Sequence, residues 1–180
     1  ADPSEDTEVF NNDEGTRALV FHLARKHQVK EVTYVGGAEN ISYHEAIQKS
    51  FEKAFERGGV TLRDKVYHVN RWDEDYSTIV DELMEAGLPD AVLCSNELTA
   101  ASLIKELSHR GVRIPRDVIV TGYRFNEPKA TNYYNITSVL RLPEMMSVNA
   151  ARKLISKIQG VEMESTYMPT CDFKPGITCG

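Results

Sequence analysis

The sequence predicts an α/β fold, a parallel sheet flanked by helices, on three observations. Short apolar runs such as "DAVLC" and "DVIVTG" alternate with longer stretches in which apolar residues recur at helical spacing. "DAVLC" is continuously apolar, as a strand buried on both faces should be. Glycines stand where the helical stretches stop, at Gly58-Gly59, Gly87, Gly111 and Gly160. Strands separated by helices pair in parallel through right-handed crossovers. With 180 residues the chain has room for one domain with a substantial core.

The elements follow in order. "ADPSEDTEV" carries acids and no periodicity, so residues 1–10 are expected to be a loose or extraneous tail, and 11–180 the folded domain. The cluster Asn11-Asn12-Asp13 should cap a first helix whose apolar face holds Leu19, Val20, Leu23 and Ala24. "VKEVTYVGG" reads as a strand ending in glycines. Ser42 and Glu45 have capping-box spacing ahead of a helix that lines up Ile47, Phe51 and Phe55. "KVYHVN" alternates as a strand does. A third helix carries Tyr76, Ile79, Val80, Leu83 and Met84. After "DAVLC", a fourth helix over about residues 97–110 presents Leu98, Ala101, Ile104 and Leu107. "DVIVTG" and "ITSVL" are further strands around a polar loop. Pro143 suits the first position of a fifth helix, and "STYMPTCDF" alternates weakly enough for an edge strand.

Composition narrows the function. Asp and Glu outnumber Lys and Arg 27 to 21, a formal net charge of −6, so this segment carries no electrostatic footprint for nucleic acid. No apolar run reaches bilayer length, and no signal peptide opens the sequence, so a cytoplasmic home and no membrane contact are expected. Cys94, Cys171 and Cys179 lack zinc spacing and read as free thiols. His22, His27, His44, His68 and His109 show no metal spacing either, and ordinary surface or helix roles are expected for them. Asn40-Ile41-Ser42 and Asn135-Ile136-Thr137 match the glycosylation sequon, read here as chance matches. No catalytic triad, paired carboxylate, phosphate loop or zinc motif is present, so neither catalysis nor a cofactor nor a metal is expected.

In a parallel α/β sheet, ligands sit beyond the carboxyl ends of the strands. That places Gly36 to Ser42, Asn70 to Asp73, Asn96 with Glu97, and Tyr123 to Glu127 along one edge.

The segments "NNDEGTRALVFHLARKHQVKEVTYVGG", "AFERGG", "PDAVLCSNELTAASLIKELSHRGVRIPRDVIVTGY" and "ITSVLRLPEMMSVNAARKLISKIQG" occur in one order. Together, from Asn11 to Phe173, they resemble the effector-binding domain of the LacI/GalR repressor family. That resemblance implies a type I periplasmic-binding-protein-like fold, two α/β lobes around a cleft that closes on a small ligand. The sequence takes up the family pattern near its middle. It therefore corresponds to essentially one lobe plus a strand-helix segment of the other. The fifth helix belongs in the family to that other lobe, and its stripe of Met146, Ala150, Leu154 and Ile158 must pack on its own sheet, swap into a second chain or form a dimer face. A homodimer is expected.

The resemblance also implies a ligand set: Asn40, Trp72, Asn96, Glu97, Arg124 and Arg141. Trp72 falls where family members place a ring against a sugar. Glu97 replaces the Asp of the family's Asn-Asp pair. Arg124 stands where an Asp usually follows Gly-Tyr, and Ile47 where an Arg clamps sugar hydroxyls. Arg141 is near a position that is often Gln. An anionic metabolite suits Arg124 and Arg141 better than a sugar, with a nucleoside also open. Each residue has an ordinary alternative: Asn96 is a natural helix N-cap, Trp72 can simply cover the sheet edge, and Arg124 can be a solvated loop charge. The expected function is small-molecule sensing in a transcriptional regulator or signalling protein. The ending "CDFKPGITCG" is similar to LacI-like sensor modules ahead of diguanylate cyclase or kinase domains. The other readings are a dimerisation or protein-interaction module without a small ligand, and a transport-type solute-binding protein.

Overall fold

The computed structural model describes residues 12–70, 75–124, 135–141, 143–160 and 171–180. Among these residues, five helices and seven strands run in the order α1 (Asp13–Lys26), β1 (Glu31–Gly36), α2 (Ser42–Gly58), β2 (Thr61–Leu62), β3 (Tyr67–His68), α3 (Ser77–Glu85), β4 (Ala91–Cys94), α4 (Glu97–His109), β5 (Ile119–Arg124), β6 (Thr137–Leu140), α5 (Pro143–Gln159) and β7 (Asp172–Lys174). One sheet holds all seven strands in the order β2-β1-β4-β5-β6-β7, with β3 also paired to β1. Every pairing is parallel except β6 with β7.

Side-chain alternation divides the sheet between two cores. Val32 and Tyr34 of β1, Ala91 and Leu93 of β4, and Ile119 and Tyr123 of β5 meet Leu19, Val20 and Leu23 of α1 and Ile47, Phe51 and Phe55 of α2. Val35, Val92, Cys94 and Val120 point the other way, against Val80 and Leu83 of α3 and Leu103, Ile104 and Leu107 of α4. All four residues of β4 are fully buried, as the run "DAVLC" requires. Between α1 and α2 a polar cluster adds to the apolar contact: Thr16 Oγ1 lies 2.7 Å from Ser50 Oγ, and Ser50 Oγ donates to Asp13 Oδ1 at 2.8 Å.

Several expectations are corrected. Asn12 occupies the N-cap position of α1 but makes no side-chain cap; its Oδ1 accepts instead from the Tyr123 hydroxyl at 2.7 Å. The Ser42–Glu45 capping box does not form. Asn40 takes a left-handed conformation (φ 61°), Ile41 becomes the N-cap residue, and Ser42 is already helical. The α4 stripe is shifted: Thr99, Ala100, Leu103, Ile104 and Leu107 are buried, whereas Leu98 is exposed. The expected strand "KVYHVN" shrinks to Tyr67–His68, and an unexpected short strand, β2, pairs with the start of β1. Gly59 (φ 67°) does end α2, in the left-handed geometry that favours glycine. Of the α5 stripe, Leu154 and Ile158 are exposed, as is Ile155 beside them, so this part of the helix is not buried against its own sheet.

Candidate functional site at the carboxyl edge of the sheet

After β1 the chain goes to β2 and β3 on one side, then crosses through α3 to β4 on the other. The strand order therefore reverses between β1 and β4. Their following helices leave to opposite faces, α2 to one core and α4 to the other. Such a topological switch point opens a crevice at the carboxyl ends of the two strands. Asn40 stands beyond β1, and Ser95, Asn96 and Glu97 stand beyond β4. The amino termini of α2 and α4 both start at this edge and bring partial positive charge to it.

Asn96 is a true N-cap: its Oδ1 accepts from Thr99 N at 2.8 Å. The Ser95 hydroxyl beside it is buried and makes no hydrogen bond among the described residues. Glu97 opens α4 over the backbone of β5. A Cβ on Gly122 would lie 3.4 Å from Glu97 Cα, ordinary contact distance, so α4 starts directly over β5.

Beyond β1 the structure gathers two histidines that the sequence left in ordinary roles. His68 Nδ1 lies 3.1 Å from the Gly37 carbonyl oxygen, and its Nε2 is 3.7 Å from Glu39 Oε1. The His44 ring fills the place a Gly37 side chain would take. Burial, and then the charge of His68, lower the His44 pKa below its ordinary value. Three residue types at unrelated spacings carry no one-dimensional signal; only the glycine pair "GG" marks that something approaches the backbone there.

Arg141 follows β6 and is only 6% exposed. Its guanidinium lies over the Tyr43 ring at 4.8 Å and the Tyr123 ring at 6.0 Å, which offsets part of the cost of burying its charge. Burial raises the Tyr43 pKa, while the charge and hydrogen bond of Arg141 oppose the rise. Arg141 thus sits in an aromatic box below the rim, away from solvent. Arg124 ends β5, in register with Leu140 of β6. Ile47, where the family resemblance implied an arginine, is fully buried core. The structure thus brings Asn40, Asn96 and Glu97 to the switch point and sets Arg124 and Arg141 on the neighbouring strand ends. Trp72 and the 125–127 stretch lie outside the described residues.

Burial raises the pKa of the Cys94 and Cys171 thiols, so neither is an activated thiolate. An open groove beside β2 and α3 contains Arg63 and Lys65, but these cations are already paired with Glu31 and Glu82. Among the described residues no helix is long and apolar enough to cross a membrane.

A family model described as a periplasmic binding protein-like domain matches residues 20–176. The HTH-type transcriptional repressor PurR of Haemophilus influenzae (strain PittEE) is 26% identical over 156 residues, covering 80% of this chain and 46% of the repressor. The repressor of the same name from Vibrio vulnificus (strain CMCP6) is 24% identical over 158 residues, covering 86% and 46%. This chain spans about half the length of the curated relatives it matches. Among solved structures, a sugar-binding transcriptional regulator of the LacI family from Escherichia coli, complexed with phosphate, superposes with a TM-score of 0.82 at 20% identity, over 99% of this chain and 64% of that one. The Lac repressor bound to ONPG gives 0.80 at 17% identity, over 94% and 51%. At these identities the likeness shows the fold: a periplasmic-binding-protein-like sheet of the kind found in LacI-family regulators.

Proposed function

This chain belongs to the periplasmic binding protein-like family, and from that premise we propose that it is the small-molecule-sensing domain of a bacterial regulator, a binding module with no catalytic step of its own. The observation that carries the proposal is the switch point between β1 and β4, where Asn40, Asn96 and Glu97 meet two helix amino termini. Arg124 and Arg141, on the adjoining strand ends, and Trp72, outside the described residues, complete the proposed ligand set. The effector is a sugar, a nucleoside or an anionic metabolite. The helix amino termini and the two arginines favour the anion. The similar proteins named as PurR repressors support a transcriptional setting, in the cytoplasm, with any DNA contact made by residues outside this acidic segment.

Signalling then follows from population shift. A ligand that binds one arrangement of the crevice better than another stabilises that arrangement by its difference in affinity. α5 offers the route outward, because its exposed Leu154, Ile155 and Ile158 form an apolar face suited to a second copy of the chain. That same face supports the second reading, a dimerisation module with no small ligand.

A thermal-shift panel of sugars, nucleosides and phosphorylated metabolites on the full-length regulator separates the two. A ligand at a hundred times its Kd adds about 2.7 kcal/mol, which raises Tm by roughly 5–10 °C in a domain of this size. Trp72→Ala should abolish the hit, and binding that survives it unchanged would misplace the site. No shift across the panel would leave the dimerisation module standing.

A further inference from the structure

On the opposite edge of the sheet, three side chains far apart in sequence converge. His22 lies in the second half of α1, His27 caps its carboxyl end, and Cys179 lies beyond β7. His22 Nε2 is 3.1 Å from His27 Nε2 and 3.5 Å from Cys179 Sγ, and the three atoms all lie within 4.8 Å of one another. We propose that His22, His27 and Cys179 form a site for a borderline-soft divalent cation of the Zn²⁺ type, clamping the end of α1 to the segment after β7.

The distances carry the argument. A tetrahedral zinc with Zn–N of about 2.05 Å and Zn–S of about 2.3 Å has N···N edges of ~3.3 Å and N···S edges of ~3.6 Å. The two closest separations here are within about 0.2 Å of those edges. The third pair, His27 with Cys179, lies within 4.8 Å, so the His27 ring moves towards Cys179 on binding to close the third edge. The three donors form one face of a tetrahedron, and a water completes the fourth position, on the solvent side of the half-buried rings. Two imidazoles and one thiolate are a ligand set that zinc accepts and that magnesium or calcium, which take oxygen donors, do not.

The supports are in place. Cys179 is 2% exposed, and its backbone neighbourhood is pinned by Val120 N donating to Thr178 O and Ile177 N donating to Asn135 O. Phe173 packs on the His22 ring at 4.8 Å. On binding, the Cys179 thiol gives its proton to solvent and the sulfur becomes the anionic ligand. Both imidazoles bind neutral through Nε2 with their protons on Nδ1. Burial, followed by nearby positive groups, lowers the pKa of both histidines, which favours that neutral form.

The competing account is a hydrogen-bond chain from thiol to imidazole to imidazole that binds no metal. Titration of the reduced, full-length protein with Co²⁺ distinguishes them. The site should bind one Co²⁺ per chain, with a thiolate-to-cobalt charge-transfer band that Zn²⁺ displaces and Cys179→Ser removes. His27→Gln should weaken binding by more than the ~10–100-fold that losing an outer-sphere partner costs. Both variants keep a polar side chain, and a circular-dichroism spectrum equal to the parent's shows that they fold. Absence of the band, or a band unchanged in either folded variant, would overturn the assignment.

Discussion

Gly15→Ala sets two established effects against each other, and the structure decides between them. Within an exposed helix, replacing glycine by alanine stabilises by about 1 kcal/mol. Gly15, however, lies in the first turn of α1, where the helix presses on β6 and the start of β7. An added Cβ would stand 2.7 Å from Val139 Cγ1, 2.8 Å from Cys171 Cβ and 2.8 Å from the Cys171 carbonyl oxygen. Ordinary contact begins at 3.4 Å, so α1 must lift by about 0.6 Å. The Cys171 carbonyl is backbone and cannot rotate aside. Lifting the helix also stretches the 2.7 Å hydrogen bond from Tyr123 to Asn12. Overpacking costs about 1–3 kcal/mol; three contacts under 3.0 Å, one of them to backbone, put this case at about 2–3 kcal/mol, and with the helical gain of about 1 kcal/mol subtracted the variant should be less stable by roughly 1–2 kcal/mol. Urea denaturation followed by circular dichroism should show a midpoint lower by roughly 0.5–1 M with an unchanged slope. A midpoint equal to or above the parent's would refute the close packing of α1 on the β6–β7 edge.

Three further outcomes are expected. Asn96→Ala should lose about 1 kcal/mol by removing the α4 cap, whereas Asn96→Ser keeps the cap and should lose only a few tenths; equal losses in thermal melts would deny the capping bond. Ile158 is 76% exposed. Ile158→Lys in both copies should weaken self-association by on the order of 100-fold, from about 1–2 kcal/mol of lost burial per copy; sedimentation velocity that finds only monomer in the parent would reject the α5 dimer. His44 has a lowered pKa, so the unfolded state takes up its proton first as pH falls below the ordinary 6.5. Its contribution is therefore whole above pH 6.5 and is lost as pH drops towards the folded-state value. Stability measured from pH 7.5 to 5 should fall less steeply in His44→Gln, and an unchanged slope would place the titration elsewhere.

The sheet was legible because its signals are local and repeated: "DAVLC" is apolar on both faces, and Gly59, Gly87 and Gly111 punctuate the helices. Caps were less legible, because Asn12 and Ser42 each had a competing partner or geometry. Asn12 gives its acceptor to Tyr123, 111 residues on. The α4 stripe was misread by one helix position because Leu98 is apolar yet faces outward, while Thr99 and Ala100 pack inward. At the candidate site, Asn96 announced itself through position alone, ahead of a helix and after a strand. The aromatic box around Arg141 and the histidines beside Gly37 did not, since they join residues from different strands and helices. A one-dimensional pattern holds periodicity and punctuation, and neither encodes which loops become neighbours.

The outer border of the sheet beside β1 is built from two strands of two residues each, interrupted by Arg63, Asp64 and Lys65. A continuous border would offer a ladder of unused amides to any passing extended peptide. Here an incoming chain finds pairing sites too short to nucleate on, and three charged side chains between them. At the far border, β7 pairs antiparallel over three residues among those described. Strand-by-strand growth into fibrils is thereby discouraged along the β1 border.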